Sequence, residues 1–328
     1  MRVLHILAGQ GMGWSGGIAS TLESLSRSRL GEWVTFECVG REDARRRIRD
    51  WRPHLIVLHR ASSWRGLTDL AALAGPRRVL IEHHYSQGFE QHQVPSKRRF
   101  RSMLRLTYGA MDRVVAVSEG QRQWMREAQL VGDSRLRLIR SSRDVAPFLA
   151  VPLPGPAPRP LRLVAFGRLN EQKGFDLLIE AVRQLPAGSV QLRLGGEGPL
   201  RSSLEQRAGG DPAIQLVGRV DDVPGFLSQA DAVAIPSRWE PWGNVCLEAR
   251  AAARPILVRA VDGLQEQAQG CGLAVESDEP SAWAAAIDVM AAASDEQRLT
   301  WARHGRSTAV SAWDNFVCAW ETLLGEFR

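Results

Sequence analysis

Residues 152–160 read PLPGPAPRP, with five prolines in nine positions. Proline fixes φ and has no N–H to donate, so this stretch suits neither a helix interior nor a central strand and reads as a linker. It splits the 328-residue chain into halves that repeat one grammar, short apolar runs alternating with polar helical segments. On the N-terminal side, strands are expected at residues 3–7, 34–39, 55–58, 79–81, 114–117 and 136–139, with helices such as 17–29, 41–51, 98–108 and 119–128. Beyond the linker, strands are expected at 163–166, 191–194, 214–217, 232–235, 256–258 and 273–275. Helices there include 175–184, 200–208, 223–227, 244–253 and 281–292. Strands alternating with helices predict parallel sheets covered on both faces, hence two α/β doubly wound domains. Such sheets bind ligands beyond the carboxyl ends of their strands, and two of them can face a shared cleft.

Composition fits an ordinary globular protein, with 44% hydrophobic and 24% charged residues. The opening MRVLHILAG reads as a first strand and not as a signal peptide, and no apolar run is long enough to span a bilayer. Cys38, Cys246, Cys271 and Cys318 form no C-x-x-C pair, which argues against a zinc site or disulfide framework and suits a reducing cytoplasm. The net charge of +6 is unevenly spread: residues 1–155 carry 25 Lys+Arg against 14 Asp+Glu, leaving 17 against 22 for the rest. A basic first half suits an anionic partner, either a membrane surface, a phosphorylated acceptor or nucleic acid. An Arg-rich surface without special role is equally compatible, and no recognition helix or aromatic-studded sheet supports nucleic acid.

Three loops carry candidate chemistry. Gly11 to Gly16 (GMGWSG) fits G-x-G-x-x-G between a strand and a helix. Glu37 is followed by Cys38 and Val39 within the second strand, so the acid expected at that strand's end is misplaced. The glycines read better as a flexible loop that a ligand approaches closely. Next, Gly167 to Gly174 (GRLNEQKG) follows the first strand of the second half. Arg168 offers a fork and Lys173 a point charge, a pair suited to a diphosphate, although a solvated turn explains them too. Finally, Glu240 to Glu248 (EPWGNVCLE) sets one carboxylate before Pro241, which disfavours helix there, and another one turn into a helix opened by Asn244. The free amides of that helix start favour an anion, and the two carboxylates suit sugar and ribose hydroxyls.

GRLNEQKGFDLLIEA, LGGEGPL, LVGRVDDVPGFLSQADA and PSRWEPWGNVCLEA, in this order, resemble the second domain of glycosyltransferase family 4. The resemblance covers nearly all of residues 160–325, including the E-x7-E pair Glu240 and Glu248. It is looser in the first half, at MDRVVAVSEGQRQWM, IEHHY and the Gly16-Gly17 pair. It implies the GT-B fold, two Rossmann-like domains (1–151 and 161–311) facing a cleft, with a last helix at 312–328 crossing back to the first. It also implies a retaining, metal-independent transfer of a hexose from a nucleotide sugar, UDP ahead of GDP, with no cofactor. The acceptor is expected to be a saccharide or a lipid-linked, cell-envelope molecule, as in polysaccharide biosynthesis.

Carried over by residue, the resemblance implies that Arg168 and Lys173 hold the donor diphosphate. Glu240 contacts the sugar with the backbone of Trp242, Gly243 and Asn244; Val245 lies near phosphate and ribose, and Glu248 binds the ribose. Arg219 and Val220 lie beside the base, Gly16 and Gly17 line the donor site, and His83 sits on the acceptor side ahead of His84. Where the family often has Gly-Gly, this chain has Asp262-Gly263. No DxD motif occurs, so Arg168, Lys173 and the helix amides around Asn244 are expected to offset the diphosphate charge. With the retention that the resemblance implies, a front-face reaction is expected in which a leaving phosphate oxygen helps deprotonate the acceptor. A non-catalytic sugar-nucleotide binder and a GT-B epimerase are the competing readings. The stretch from Lys97 to Arg105, with Phe100, Met103, Leu104 and Leu106, suits either contact with an anionic membrane at its inner face or a surface helix packing its apolar residues.

Overall fold

The computed structural model describes residues 1–7, 17–71, 73, 75–156 and 160–328. Its chain divides into two compact units, one formed by Met1–Asp144 with Trp313–Arg328, the other by Val145–Ala312. The boundary falls ahead of the proline-rich stretch because Val145, Phe148 and Val151 pack into the core of the second unit.

The first unit is built on β1 (Arg2–Leu7), β2 (Thr35–Gly40), β3 (Leu55–His59), β4 (Arg77–Glu82), β5 (Arg113–Ala116) and β6 (Leu136–Leu138). They form one parallel sheet in the order β2-β1-β3-β4-β5-β6. Parallel strands covered on both faces read as unbroken apolar runs. Accordingly, every residue of β3 (LIVLH) is buried. Between the strands lie α1 (Gly17–Ser26), α2 (Ala44–Trp51), α3 (Trp64–Ala71), α4 (Gln87–Gln93), α5 (Lys97–Gly109) and α6 (Glu119–Glu127). The helix expected over 17–29 stops at Ser26. A separate 3₁₀ turn at Arg29–Glu32 follows, capped by the Ser28 hydroxyl, which accepts from Leu30 N at 3.3 Å.

The second unit opens with α7 (Ala146–Leu149) and continues with β7 (Leu161–Phe166), β8 (Val190–Gly195), β9 (Ile214–Gly218), β10 (Ala232–Ile235), β11 (Ile256–Arg259) and β12 (Gly272–Val275). Its parallel sheet has the order β12-β11-β10-β7-β8-β9. The helices are α8 (Phe175–Val182), α9 (Arg201–Ala208), α10 (Val223–Ser228), α11 (Asn244–Ala251), α12 (Asp262–Ala268), α13 (Pro280–Ala292) and α14 (Asp295–Val310). Side-chain caps fix several starts: Asp222 accepts from Gly225 N at 2.9 Å and Ser294 from Gln297 N at 3.1 Å.

The order β9-β8-β7-β10-β11-β12 means that the chain walks outward from β7, returns, and walks outward on the other side. The crevice at such a reversal lies between the carboxyl ends of β7 and β10. In the first unit the reversal lies between β1 and β3. Helix α15 (Ala312–Gly325) belongs to the first unit from Trp313 onward. Its Trp320 is buried against His5 of β1, and Glu326 just beyond it takes both Arg113 and Arg137.

Candidate functional site

The loops after β7 and β10, which the sequence marked for donor binding, are the two that the reversal brings together. Arg238 N donates to Gln172 O at 2.8 Å, and Gln172 Nε2 returns a bond to Trp239 O at 3.0 Å. The Arg238 guanidinium grips Asp176 of α8 with both nitrogens, at 3.0 and 2.7 Å. Burial works to raise the Asp176 carboxyl, yet the hydrogen bonds and charge of Arg238 carry it below its ordinary value. A third loop locks in from β8. A side chain at Gly196 would stand 1.8 Å from Gly167 O, so only glycine permits this approach.

Within this frame Lys173 and Glu240 form an ion pair, with side chains only 18% and 11% exposed. The Ser237 hydroxyl also donates to Glu240 Oε2, at 3.3 Å. The Glu240 backbone is pinned by Asp262, whose Oδ2 accepts from Glu240 N at 3.0 Å, while Gly263 N donates to Glu240 O at 3.2 Å. Asp262 adopts φ +46°, a left-handed conformation that Asp tolerates better than most residues. Gly243, at φ +88°, precedes α11 without a side-chain cap, leaving the first amides of that helix for another acceptor. Gln267 of α12 fixes the approach by donating to Trp242 O at 2.6 Å.

Trp242 Nε1, Asn244 Oδ1 and Asn170 Oδ1 are buried polar atoms with no hydrogen-bond partner among the described residues, and all three lie in or beside these loops. Unpaired buried polar atoms are rare and mark places where a ligand or water completes the bonding. Arg168 is exposed at the start of its loop, and Val245 is half-buried. Glu248 is buried on α11. Arg219 pairs with Asp221 in solvent, and Val220 packs beside Gly195. Asp262, Gln267 and the Arg238–Asp176 pair were not singled out by sequence reasoning. Asp262 alone had a signal, since it stands where the family often has glycine.

In the first unit, His83 follows β4 and is half-buried. It ends a row that sequence reasoning missed. His5 Nδ1 lies 2.8 Å from His59 Nε2, and His59 Nδ1 lies 3.0 Å from His83 Nε2. Adjacent rings stack at 5.1 and 5.3 Å. Burial lowers His5 to about 3, and burial with neighbouring imidazoles drives His59 and His83 well below their ordinary 6.5, so all three are neutral. Glu82, beside His83, is fully buried; it accepts from His84 N, Tyr85 N and the Tyr108 hydroxyl. His84 stands beside the row and helps lower His59 and His83. Burial lowers it in turn, against a hydrogen bond to the His59 backbone, and its Nε2 has no partner among the described residues.

Gly17 opens α1, whereas Gly16 and the rest of the Gly11–Gly16 loop lie outside the described residues. Among the described residues, no group of three or more His, Cys, Asp or Glu is placed to hold a metal ion. No helix among them is long and apolar enough to cross a membrane. On α5, Arg101 binds Glu90, and Arg105 caps the carbonyls of Ala128 and Gln129. Met103 and Leu104 are buried and Phe100 half-buried, as in the packed-helix reading, but Leu106 is 57% exposed and departs from it. At about 100° per residue it points about 130° away from the centre of the face that buries Met103, Leu104, Thr107 and Tyr108.

Residues 160–292 match the family profile described as Glycosyl transferases group 1, and residues 32–146 match the one described as Glycosyltransferase Family 4. Together they take in about three quarters of the chain. The chain belongs to the group 1, family 4 glycosyltransferases. Among its relatives is the GDP-mannose-dependent alpha-(1-6)-phosphatidylinositol dimannoside mannosyltransferase of Mycobacterium tuberculosis, 32% identical over 173 residues, which are 51% of this chain and 45% of that one. Another is the lipopolysaccharide core biosynthesis glycosyltransferase LpsE of Rhizobium meliloti, 33% identical over 192 residues, 57% and 54% of the two chains. The match thus spans about half the length of these relatives. Among solved structures, Anabaena Alr3699/HepE in complex with UDP and glucose superposes with a TM-score of 0.75 at 18% identity, covering 98% of each chain. Sucrose-phosphate synthase from Thermosynechococcus elongatus gives 0.77 at 19%, covering 99% of each. At such identities the likeness establishes the fold, and this family member has the GT-B fold.

Proposed function

We propose that this protein transfers a hexose from a nucleoside diphosphate sugar to a hydroxyl of a saccharide or lipid-linked acceptor, with retention of configuration. The observation that carries the reading is the meeting of Lys173 and Glu240 at the β7/β10 reversal, inside the stretch that matches the group 1 profile. Lys173, Arg168 and the uncapped amides of α11 take the diphosphate, and their charge, not a metal's, offsets the charge growing on the leaving group. Glu240 and the backbone of Trp242, Gly243 and Asn244 hold the sugar. Glu248 takes the ribose, with Val245, Arg219 and Val220 towards the nucleoside. His83 serves the acceptor side. The C1–O(phosphate) bond breaks, the C1–O(acceptor) bond forms on the same face, and the acceptor proton passes to the leaving phosphate oxygen.

The relatives' names include both a GDP-mannose enzyme and UDP-bound structures, and we take a UDP-hexose as the working donor. Acceptors of the cell-envelope type are supported by the lipid and lipopolysaccharide acceptors that the relatives' names state. For a lipid-linked acceptor at the cytoplasmic face, the exposed Lys97, Arg98 and Arg99 are the cations available to anionic headgroups. Thermal-shift measurements with UDP-, GDP- and ADP-hexoses, followed by product detection with candidate acceptors, test the proposal. A stabilising donor, a glycosylated product and an unchanged anomer in the first product formed support it. Donor binding without product or donor hydrolysis would make the protein a binder, and an altered sugar without transfer would make it an epimerase.

A further inference from the structure

The row of imidazoles in the first unit continues beyond His5. His5 is fully buried, and its Nε2 has no hydrogen-bond partner among the described residues. Facing it at 5.6 Å between ring centroids is Trp320 of α15, also buried, whose Nε1 likewise has none. Two orphaned polar atoms therefore sit on neighbouring buried rings. An indole nitrogen can only donate, so the complementary state of His5 Nε2 is a bare acceptor. Leaving a buried N–H orphaned is the rarer and costlier alternative to leaving an acceptor under-satisfied.

A neutral imidazole carries a single N–H, so this choice propagates. With Nε2 bare, His5 donates from Nδ1 to His59 Nε2. His59 must then carry its own proton on Nδ1 and donate to His83 Nε2. His83, receiving on Nε2, keeps its proton on Nδ1, which has no partner among the described residues.

We propose that Trp320 orders the protons of this row, so that His5 and His59 act as positioning residues holding His83 as its Nδ1–H tautomer. His83 then presents a hydrogen-bond donor and not a base, and the last helix of the chain sets that state. The consequence for turnover rests on the reading of His83 as a group serving transfer; the tautomer itself does not. A donor there suits a substrate oxygen, and it leaves the acceptor's proton to the departing phosphate.

The test is long-range ¹H–¹⁵N correlation on the protein labelled with ¹⁵N-histidine, which reports which ring nitrogen carries hydrogen. The expected spectrum shows His5, His59 and His83 each protonated on Nδ1. His83 protonated on Nε2 in the wild type would overturn the proposal. Trp320→Phe keeps an aromatic ring but removes the indole N–H; His59→Phe severs the row. In each, His83 is expected to become a mixture of tautomers, with kcat down about fivefold to tenfold and donor KM unchanged. His59→Gln, which can still donate to His83 Nε2, is expected to restore the single tautomer. An unmoved His83 in His59→Phe would also overturn the proposal. If the tautomers are as expected but His83→Ala turns over normally, the ordering stands and the functional reading of His83 fails.

Discussion

Lys173 and Glu240 reach each other from loops 67 residues apart, and each is the other's counter-ion in a largely buried position. Removing one partner leaves an unpaired charge that water reaches poorly. Lys173→Met and Glu240→Gln are each expected to lower stability by about 1–3 kcal/mol in urea titrations. The double variant should recover most of that loss, because no lone charge remains. Calorimetric titration with UDP should show weakened binding wherever Lys173 is replaced. Full affinity in Lys173→Met would remove the lysine from the diphosphate site.

Asp262 carries a side chain at φ +46° and uses it to hold Glu240 N. Asp262→Gly relieves the backbone and discards the bond. These effects oppose each other at about 1 kcal/mol each, so the urea midpoint should hardly move. Donor KM is expected to rise, since the Glu240 loop loses its pin. An unchanged KM would show that Gly263 N suffices.

Burial pushes the Glu82 carboxyl up from its ordinary 4.5 to about 7, against three hydrogen bonds that pull it down. A raised acid favours the folded state while both states are protonated, below about 4.5. That contribution is lost as the unfolded chain ionises alone, between 4.5 and 7, and amounts to about 3 kcal/mol. Glu82→Gln cannot ionise. Its stability relative to wild type should therefore rise with pH across this window. Parallel stability curves for the two proteins would contradict this.

Glycines test clash against conformation. Gly188 has φ +78° and open space, with nothing within 4 Å of where an added methyl would stand, whereas Gly196, at φ +133°, would collide with Gly167 O. Gly188→Ala is expected to lose about 1–2 kcal/mol from the left-handed backbone alone. Gly196→Ala should lose upwards of about 3 kcal/mol and loosen the β7 loop, because a backbone carbonyl cannot yield cheaply. Chemical denaturation of both variants makes the comparison.

The strands were legible because a parallel sheet buried on both faces writes itself as apolar runs, and all twelve expected strands overlap the observed ones. Helices α12 and α14 were not singled out. Only Gly263, Leu264, Gln267 and Ala268 are buried in α12, and α14 buries only small residues, Ala302, Gly305 and Ala309. Neither gives a strong apolar stripe. Loops after β7 and β10 carry local signals, a cation pair and a Pro-Trp-Gly break. The histidine row as such has none: His5 lies on β1, His59 ends β3 and His83 stands just past β4, 54 and 24 residues apart, and each alone reads as a single polar residue in or beside an apolar run. Only the sheet order, which sets β1 beside β3 and β3 beside β4, aligns them.

Because Trp320 packs on His5 and Glu326 pairs with Arg113 and Arg137, the first unit lacks these contacts while the ribosome is still making the second, although its main core is drawn from residues 4–138. The second unit, contiguous from Val145 to Ala312, is free to fold as it emerges. Birth order and folding order are thus inverted for part of the molecule. The β1 face around His5 must wait, open, for a helix synthesised some three hundred residues later. A nascent chain stalled before Trp313 should therefore bind chaperones through its oldest segment.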